Sequence, residues 1–275
     1  MPTRCSALIL GDDGRQVTAS AFTSTSTLER PFAGRVALVT GGAGAIGRAT
    51  AQALAARGAT VFAADIGNVD GGDTFKSVRL DVTRKADITA VVASIVDAHG
   101  GIDLLVNVAG VISHGSAENL AEAEWDRVLG INLKGTFLCC QAVMPQMKAR
   151  RYGRIVNIGS IVGKNGGNAR PWIDTNEQVR SANVAYGVSK AGIHAMTAFL
   201  AKELAAHGVT VNAVAPGPVA TSMTTNYPQA LRALVPVGRM GTLDDVIDAI
   251  LFLLSERSSY ITGEVLDING GMWCD

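Results

Sequence analysis

From Arg35 onward, short and nearly continuous apolar runs alternate with longer stretches of helical period. The runs are residues 36–39, 60–64, 78–80, 104–106, 155–158, 209–214 and 265–268. Their lack of strict apolar–polar alternation predicts strands covered on both faces. Residues 46–57, 84–99, 122–150, 184–207 and 243–255 carry the spacing of helices. Strand–helix alternation of this kind predicts an α/β fold, a parallel sheet with right-handed crossovers and helices on both faces. No repeat or linker interrupts residues 32–275, which are read as one domain.

Residues 1–31 follow another pattern. They pass through Gly11-Asp12-Asp13-Gly14-Arg15 into the Ser/Thr-rich stretch 20–27, with no apolar period beyond one turn. The reading is a flexible extension. It lacks the Arg-rich amphipathic pattern of a transit peptide, and its apolar run 7–10 stops short of a signal sequence. The longest later apolar run, 249–254, is too short to span a bilayer.

Hydrophobic residues make up 48% and charged residues 17% of the 275 positions, enough for a sizeable core. Lys+Arg and Asp+Glu both number 24, so no global field favours nucleic acid or an anionic membrane. Cys5, Cys139, Cys140 and Cys274 form no CxxC pair, which argues against zinc or a disulfide framework. His99, His114, His194 and His207 have no ligand spacing and read as structural or surface residues. The expectation is a soluble cytoplasmic protein without a metal, a nucleic-acid partner or a membrane.

The segment Val39-Thr40-Gly41-Gly42-Ala43-Gly44-Ala45-Ile46-Gly47 follows the first strand and opens a helix. Glycines there permit a tight turn and let backbone N–H groups approach a pyrophosphate at the positive end of the helix. Asp65 ends the next strand, 18 residues beyond Gly47. A carboxylate at that place accepts the adenosine ribose hydroxyls and repels a 2′-phosphate. Its sequence neighbours Ala64 and Ile66 bring no cation, so the expected cofactor is NAD rather than NADP.

These motifs continue in order through Asp81-Val82, Asn107-Val108-Ala109-Gly110, Asn132, Ser160, Tyr186-Gly187-Val188-Ser189-Lys190, Pro216-Gly217-Pro218-Val219-Ala220-Thr221 and Gly263-Glu264…Gly270-Gly271. The chain from about residue 33 resembles the short-chain dehydrogenase/reductases. The resemblance implies a Rossmann-like, doubly wound, three-layer single domain. It also implies that Gly41, Gly44, Ile46 and Gly47 hold the pyrophosphate side and that Asp81 and Val82 meet the adenine. Asn107, Ala109 and Gly110 would support the adenine ribose, and Pro216, Val219 and Thr221 the nicotinamide. Two departures stand out: Ala45 where the family usually has glycine, and Val108 where it usually has asparagine.

Tyr186 and Lys190 lie four apart in a helical segment and so share one face. A phenol with a pKa near 10 is a poor base at neutral pH, and a nearby ammonium would favour its anion. Lys190 can also hold the nicotinamide ribose. Ser160 would hydrogen-bond the substrate oxygen, and by resemblance Asn132 holds a water that relays protons from Lys190. The reaction expected is NAD-dependent interconversion of a secondary alcohol or polyol with its carbonyl form.

Ser160 and Tyr186 are separated by 25 residues, more than the family generally places there. Arg170, Trp172 and Arg180 in this insertion could cap the pocket and contact a polar or acidic substrate, or the insertion could serve a subunit contact. The alternative within the oxidoreductases is a 3-oxoacyl-carrier-protein reductase, against which Asp65 weighs, because such reductases usually use NADPH. A non-catalytic NAD-binding regulator is a third reading, opposed by the intact Ser160/Tyr186/Lys190 set. A homo-oligomer, most simply a tetramer, is expected from the family and from apolar residues on several faces of helices 122–150 and 184–207.

Overall fold

Seven parallel strands carry the architecture of the computed structural model, which describes residues 9–10, 16–17, 30–167, 171–221 and 229–274. The strands are β1 (Val36–Thr40), β2 (Thr60–Asp65), β3 (Lys76–Arg79), β4 (Leu104–Asn107), β5 (Gly153–Ile158), β6 (Val209–Pro216) and β7 (Val265–Ile268). They lie in the order β3-β2-β1-β4-β5-β6-β7. All neighbouring pairs are parallel. The chain runs outward from β1 to β3 and then returns to build the other half from β4. The reversal opens a crevice beyond the carboxyl ends of β1 and β4, where a doubly wound sheet binds its ligand.

Alternate residues of β1 explain the three layers. Val36 and Leu38 point into one core with Ile88, Val92, Leu138, Val143 and Leu200. Ala37 and Val39 point into the other with Leu54, Leu104, Val106, Ile250 and Leu254. The first core is roofed by α2 (Lys85–His99), α4 (Thr136–Arg150) and α7 (Val184–Leu204), the second by α1 (Ala45–Ala56) and α9 (Leu243–Leu254). α9 starts at a capping box: Thr242 accepts from the Asp245 N–H while Asp245 accepts from the Thr242 N–H.

The helical stretch 122–150 is not uniform. α3 (Glu122–Leu129) passes into a π-helical turn, Gly130–Gly135, before α4 begins. This run is long and apolar enough to cross a membrane, but Leu138, Cys139, Cys140, Val143 and Met147 are buried against the sheet, as in a core helix. In the amino-terminal stretch, Ile9–Leu10 and Gln16–Val17 pair as an antiparallel two-stranded ribbon. Between β5 and α7 lie α5 (Val162–Asn165) and α6 (Thr175–Ser181), which belong to the insertion, and α8 (Gln229–Arg232) follows β6.

Candidate active site

Parallel strands end at one edge of the sheet, and this alone gathers Thr40, Asp65, Asn107, Ile158 and Pro216. Gly41 turns the chain out of β1 with φ +70°, and a Cβ there would lie 2.7 Å from the Ala109 nitrogen. A Cβ on Gly47 would lie 2.1 Å from the Gly41 carbonyl oxygen, so α1 can approach the turn only with glycine at that position. Gly44 caps α1 without a side-chain hydrogen bond, and the first turn holds no acidic residue. The helix therefore offers its N–H groups to an anion. Ala45 is exposed, so its methyl group is accommodated, and Ile46 beside it is half-buried.

Asp65 is oriented by the turn it faces. Its Oδ2 accepts from Ala43 N and its Oδ1 from Gly67 N, both at 3.0 Å, and each oxygen keeps a lone pair for a hydroxyl. The sequence expectation that no cation lies beside Asp65 is corrected here. Sheet register pairs Asp65 with Arg79 of β3, and Arg79 lines a cavity of about 280 Å³ with Ile66, Gly67 and Asn68. Asp81 accepts from the N–H and hydroxyl of Thr83, which hold its carboxyl below the usual range. Val82 is buried under the π-helical turn, against Gly135.

Asn107 is fixed by donation from its Nδ2 to the Oδ1 of Asn157 at 2.9 Å. The Thr40 hydroxyl accepts from the N–H groups of Val108 and Ala109. The replacement at Val108 therefore leaves this backbone anchor intact. Gly110 leaves room for Asn132, whose Oδ1 would lie 3.3 Å from a Cβ there. Pro216 ends β6; beyond it Val219 is buried and bridged to Gly241, with Thr221 half-buried.

The π-helical turn presents Asn132, which is fully buried. Its Oδ1 accepts from Val111 N at 2.8 Å, and its Nδ2 donates to Val111 O and to the Ser189 hydroxyl. Ser189 in turn donates to the Tyr186 carbonyl at 2.7 Å. Ser160 follows β5 at Gly159. Its Oγ accepts from Val162 N, and its amide donates to Nε2 of His194 at 3.3 Å. Sequence spacing hid His194 and Ser189, although both lie on α7 at helical intervals from Tyr186 and Lys190.

Lys190 is buried and its Nζ donates to the Ile158 carbonyl at 2.6 Å, 5.7 Å from the centre of the Tyr186 ring. Burial lowers the ammonium to about 8. For the Tyr186 phenol, burial is the largest influence and raises it, while a hydrogen bond with Ser160 acts the other way. The Lys190 ammonium expected to favour the Tyr186 anion is directed at the Ile158 carbonyl, and burial acts on the phenol in the opposite sense.

The insertion reaches back toward the site, because Gly115 N, in the loop after β4, donates to Ala182 O at 2.8 Å. Trp172 is half-buried and Arg180 is exposed on α6. Arg170 lies outside the described residues.

Residues fit a bound dinucleotide: two glycine cradles, an uncapped helix amino terminus and a carboxylate at the end of β2. Comparison with known proteins agrees. A family model described as enoyl-(acyl carrier protein) reductase matches residues 41–273. The chain is 40% identical over 253 residues to the 3-oxoacyl-[acyl-carrier-protein] reductase FabG of Thermotoga maritima, covering 87% of this chain and 98% of that protein. It is 39% identical over 251 residues to the (2S)-[(R)-hydroxy(phenyl)methyl]succinyl-CoA dehydrogenase subunit BbsD of Thauera aromatica, covering 86% and 96%. A solved Burkholderia xenovorans structure described as a short-chain dehydrogenase/reductase superposes with TM-score 0.79 at 35% identity, covering 89% and 99%. The chain belongs to the short-chain dehydrogenase/reductase family and is an oxidoreductase of CH–OH and ketone groups.

Proposed function

We propose that the protein interconverts a 3-oxoacyl thioester and its 3-hydroxyacyl form with NAD(H). The observation that carries the reaction type is the grouping of Ser160, Tyr186 and Lys190 at the carboxyl end of β5, where Lys190 Nζ lies on the Ile158 carbonyl and 5.7 Å from the centre of the Tyr186 ring. The substrate class comes from the relatives, one named for a 3-oxoacyl thioester and one for a hydroxylated acyl-CoA. In both names the reacting oxygen stands on the carbon β to a carboxyl or thioester carbonyl. The polyol expectation gains no support from them, so the thioester reading replaces it.

Ser160 holds the substrate oxygen through its hydroxyl. Tyr186 gives that oxygen a proton on reduction and takes one on oxidation. Lys190 binds the ribose on the nicotinamide side and is the next group on the proton path, which Asn132 continues through a held water. Gly41, Gly44, Ile46 and Gly47 seat the pyrophosphate, Asp65 accepts the ribose hydroxyls, and Asp81, Val82, Asn107, Ala109 and Gly110 line the adenosine side. Pro216, Val219 and Thr221 line the nicotinamide side. NAD(H), when bound, supplies or accepts the hydride.

The preference for NAD(H) over NADP(H) rests on the Asp65 carboxylate, which close to a 2′-phosphate costs on the order of a few kcal/mol. Residues 32–275 form the catalytic domain, with 1–31 as an extension, and the site of action is the cytoplasm. A homotetramer accounts for the groove of about 590 Å³ between the helices, lined by Leu129, Leu133, Phe137 and Met196, and for the exposed Phe199. The test is a panel of 3-oxoacyl thioesters, simple ketones and sugars with each cofactor. Highest kcat/KM for a 3-oxoacyl thioester with NADH supports the reading; a sugar or simple ketone ahead of every thioester overturns it.

A further inference from the structure

We propose that His194 is a positioning residue for Ser160, an acceptor that fixes the serine backbone and so aims its hydroxyl. This rests on the reading above that Ser160 holds the substrate oxygen. Tyr186, Lys190 and His194 follow at four-residue steps along α7 and share one face of the helix. The Ser160 amide donates to His194 Nε2 at 3.3 Å. An imidazole that accepts through Nε2 carries its proton on Nδ1.

The chain around Ser160 is cut to admit this ring. A Cβ on Gly159 would lie 2.3 Å from Nε2 and 2.7 Å from Cδ2 of His194. A Cβ on Gly163 would lie 3.0 Å from Cε1, although the backbone of Ala191 at 2.7 Å also excludes it. Neither glycine has a positive φ, so packing rather than backbone conformation restricts these positions, and at Gly159 the ring is the nearest obstacle.

Ser160 is otherwise held by Val162 N on its hydroxyl at 3.2 Å and by Gly163 N on its carbonyl at 3.0 Å. His194 supplies the third point, on the amide. Without an acceptor the partly buried N–H loses its partner and the residue moves to regain one. A displacement of about 1 Å at a reacting group costs up to about 10²-fold in rate.

The test compares His194→Leu, His194→Gln and His194→Asn, using whichever carbonyl compound the wild type reduces fastest. Only the glutamine amide reaches the place of Nε2; the asparagine oxygen falls short and leucine has no acceptor. The expected result is a kcat loss of about tenfold or more for Leu and Asn, with Gln within about threefold of wild type. KM, NADH affinity by fluorescence titration and the oligomeric state stay within about twofold throughout, since His194 is assigned no contact with either ligand. In a Ser160→Ala background, His194→Leu lowers kcat no further. Equal kcat for Gln and Asn overturns the proposal, and this comparison decides even if the leucine variant does not fold. A Ser160→Ala variant with wild-type kcat would instead remove the role given to Ser160, and the proposal with it.

Discussion

Lys190 Nζ donates to the carbonyl oxygen of Ile158 at 2.6 Å, tying α7 to the last residue of β5. The bond satisfies a buried ammonium but does not repay its desolvation, and burial lowers Lys190 from 10.5 to about 8. Between these values the unfolded chain binds more protons than the folded one, so this group makes stability rise with pH. Melting of the cofactor-free wild type and Lys190→Met, measured from about pH 7 to about pH 9.5, should shift in favour of the wild type. The shift is on the order of 2 kcal/mol. A pH-independent difference would show that Lys190 keeps its ordinary pKa.

Asp65 and Arg79 are neighbours across β2 and β3. While the carboxylate is present it opposes a 2′-phosphate; once it is neutral, Arg79 is the cation that remains. Asp65→Asn should therefore lower kcat/KM with NADH and raise it with NADPH, shifting the ratio by about tenfold or more toward NADPH. Adding Arg79→Ala should reverse the NADPH gain. A wild type that prefers NADPH would contradict the assigned role of Asp65.

Two glycines of the same turn should respond differently to alanine. At Gly47 the new Cβ meets the Gly41 carbonyl oxygen at 2.1 Å, whereas at Gly44 it meets the same atom at 3.3 Å with ordinary backbone angles. Gly47→Ala should weaken NADH binding by about tenfold or more and lower stability by about 1–3 kcal/mol. Gly44→Ala should change either by much less. Calorimetric NADH titration and thermal melting of both variants give the comparison.

If the insertion caps the active site, Trp172→Ala and Arg180→Ala should change the kcat/KM ratio between long and short acyl thioesters. NADH affinity should hold, because the residues assigned to the dinucleotide lie in the other half of the crevice. If the insertion is a subunit contact, sedimentation changes and the ratio does not.

Much of this was legible in the sequence for physical reasons. Both faces of the sheet are covered, so the strands read as continuous apolar runs, and the glycines of the turn mark a backbone approach that no side chain tolerates. Tyr186 and Lys190 were found because a helix converts four-residue spacing into contact. Arg79 was missed because sheet register, not sequence adjacency, sets it beside Asp65. His194 was missed because its partner is the Ser160 backbone, which has no side-chain signature. The π-helical turn that presents Asn132 leaves the apolar period of 122–150 unbroken and so gave no warning. The balance of influences on the Tyr186 phenol depends on burial and on where Lys190 points, which only packing fixes.

The central claim is that Tyr186 moves the proton during nicotinamide-dependent carbonyl reduction. Its most direct test is the rate of NADH consumption by wild type and Tyr186→Phe with a 3-oxoacyl thioester, alongside NADH binding to each. The substitution removes one phenolic oxygen, and general acid–base transfer contributes about 10²–10⁴-fold. A loss of that size in kcat, with NADH affinity within about twofold of wild type, is the predicted result. A variant that consumes NADH at close to the wild-type rate would contradict it.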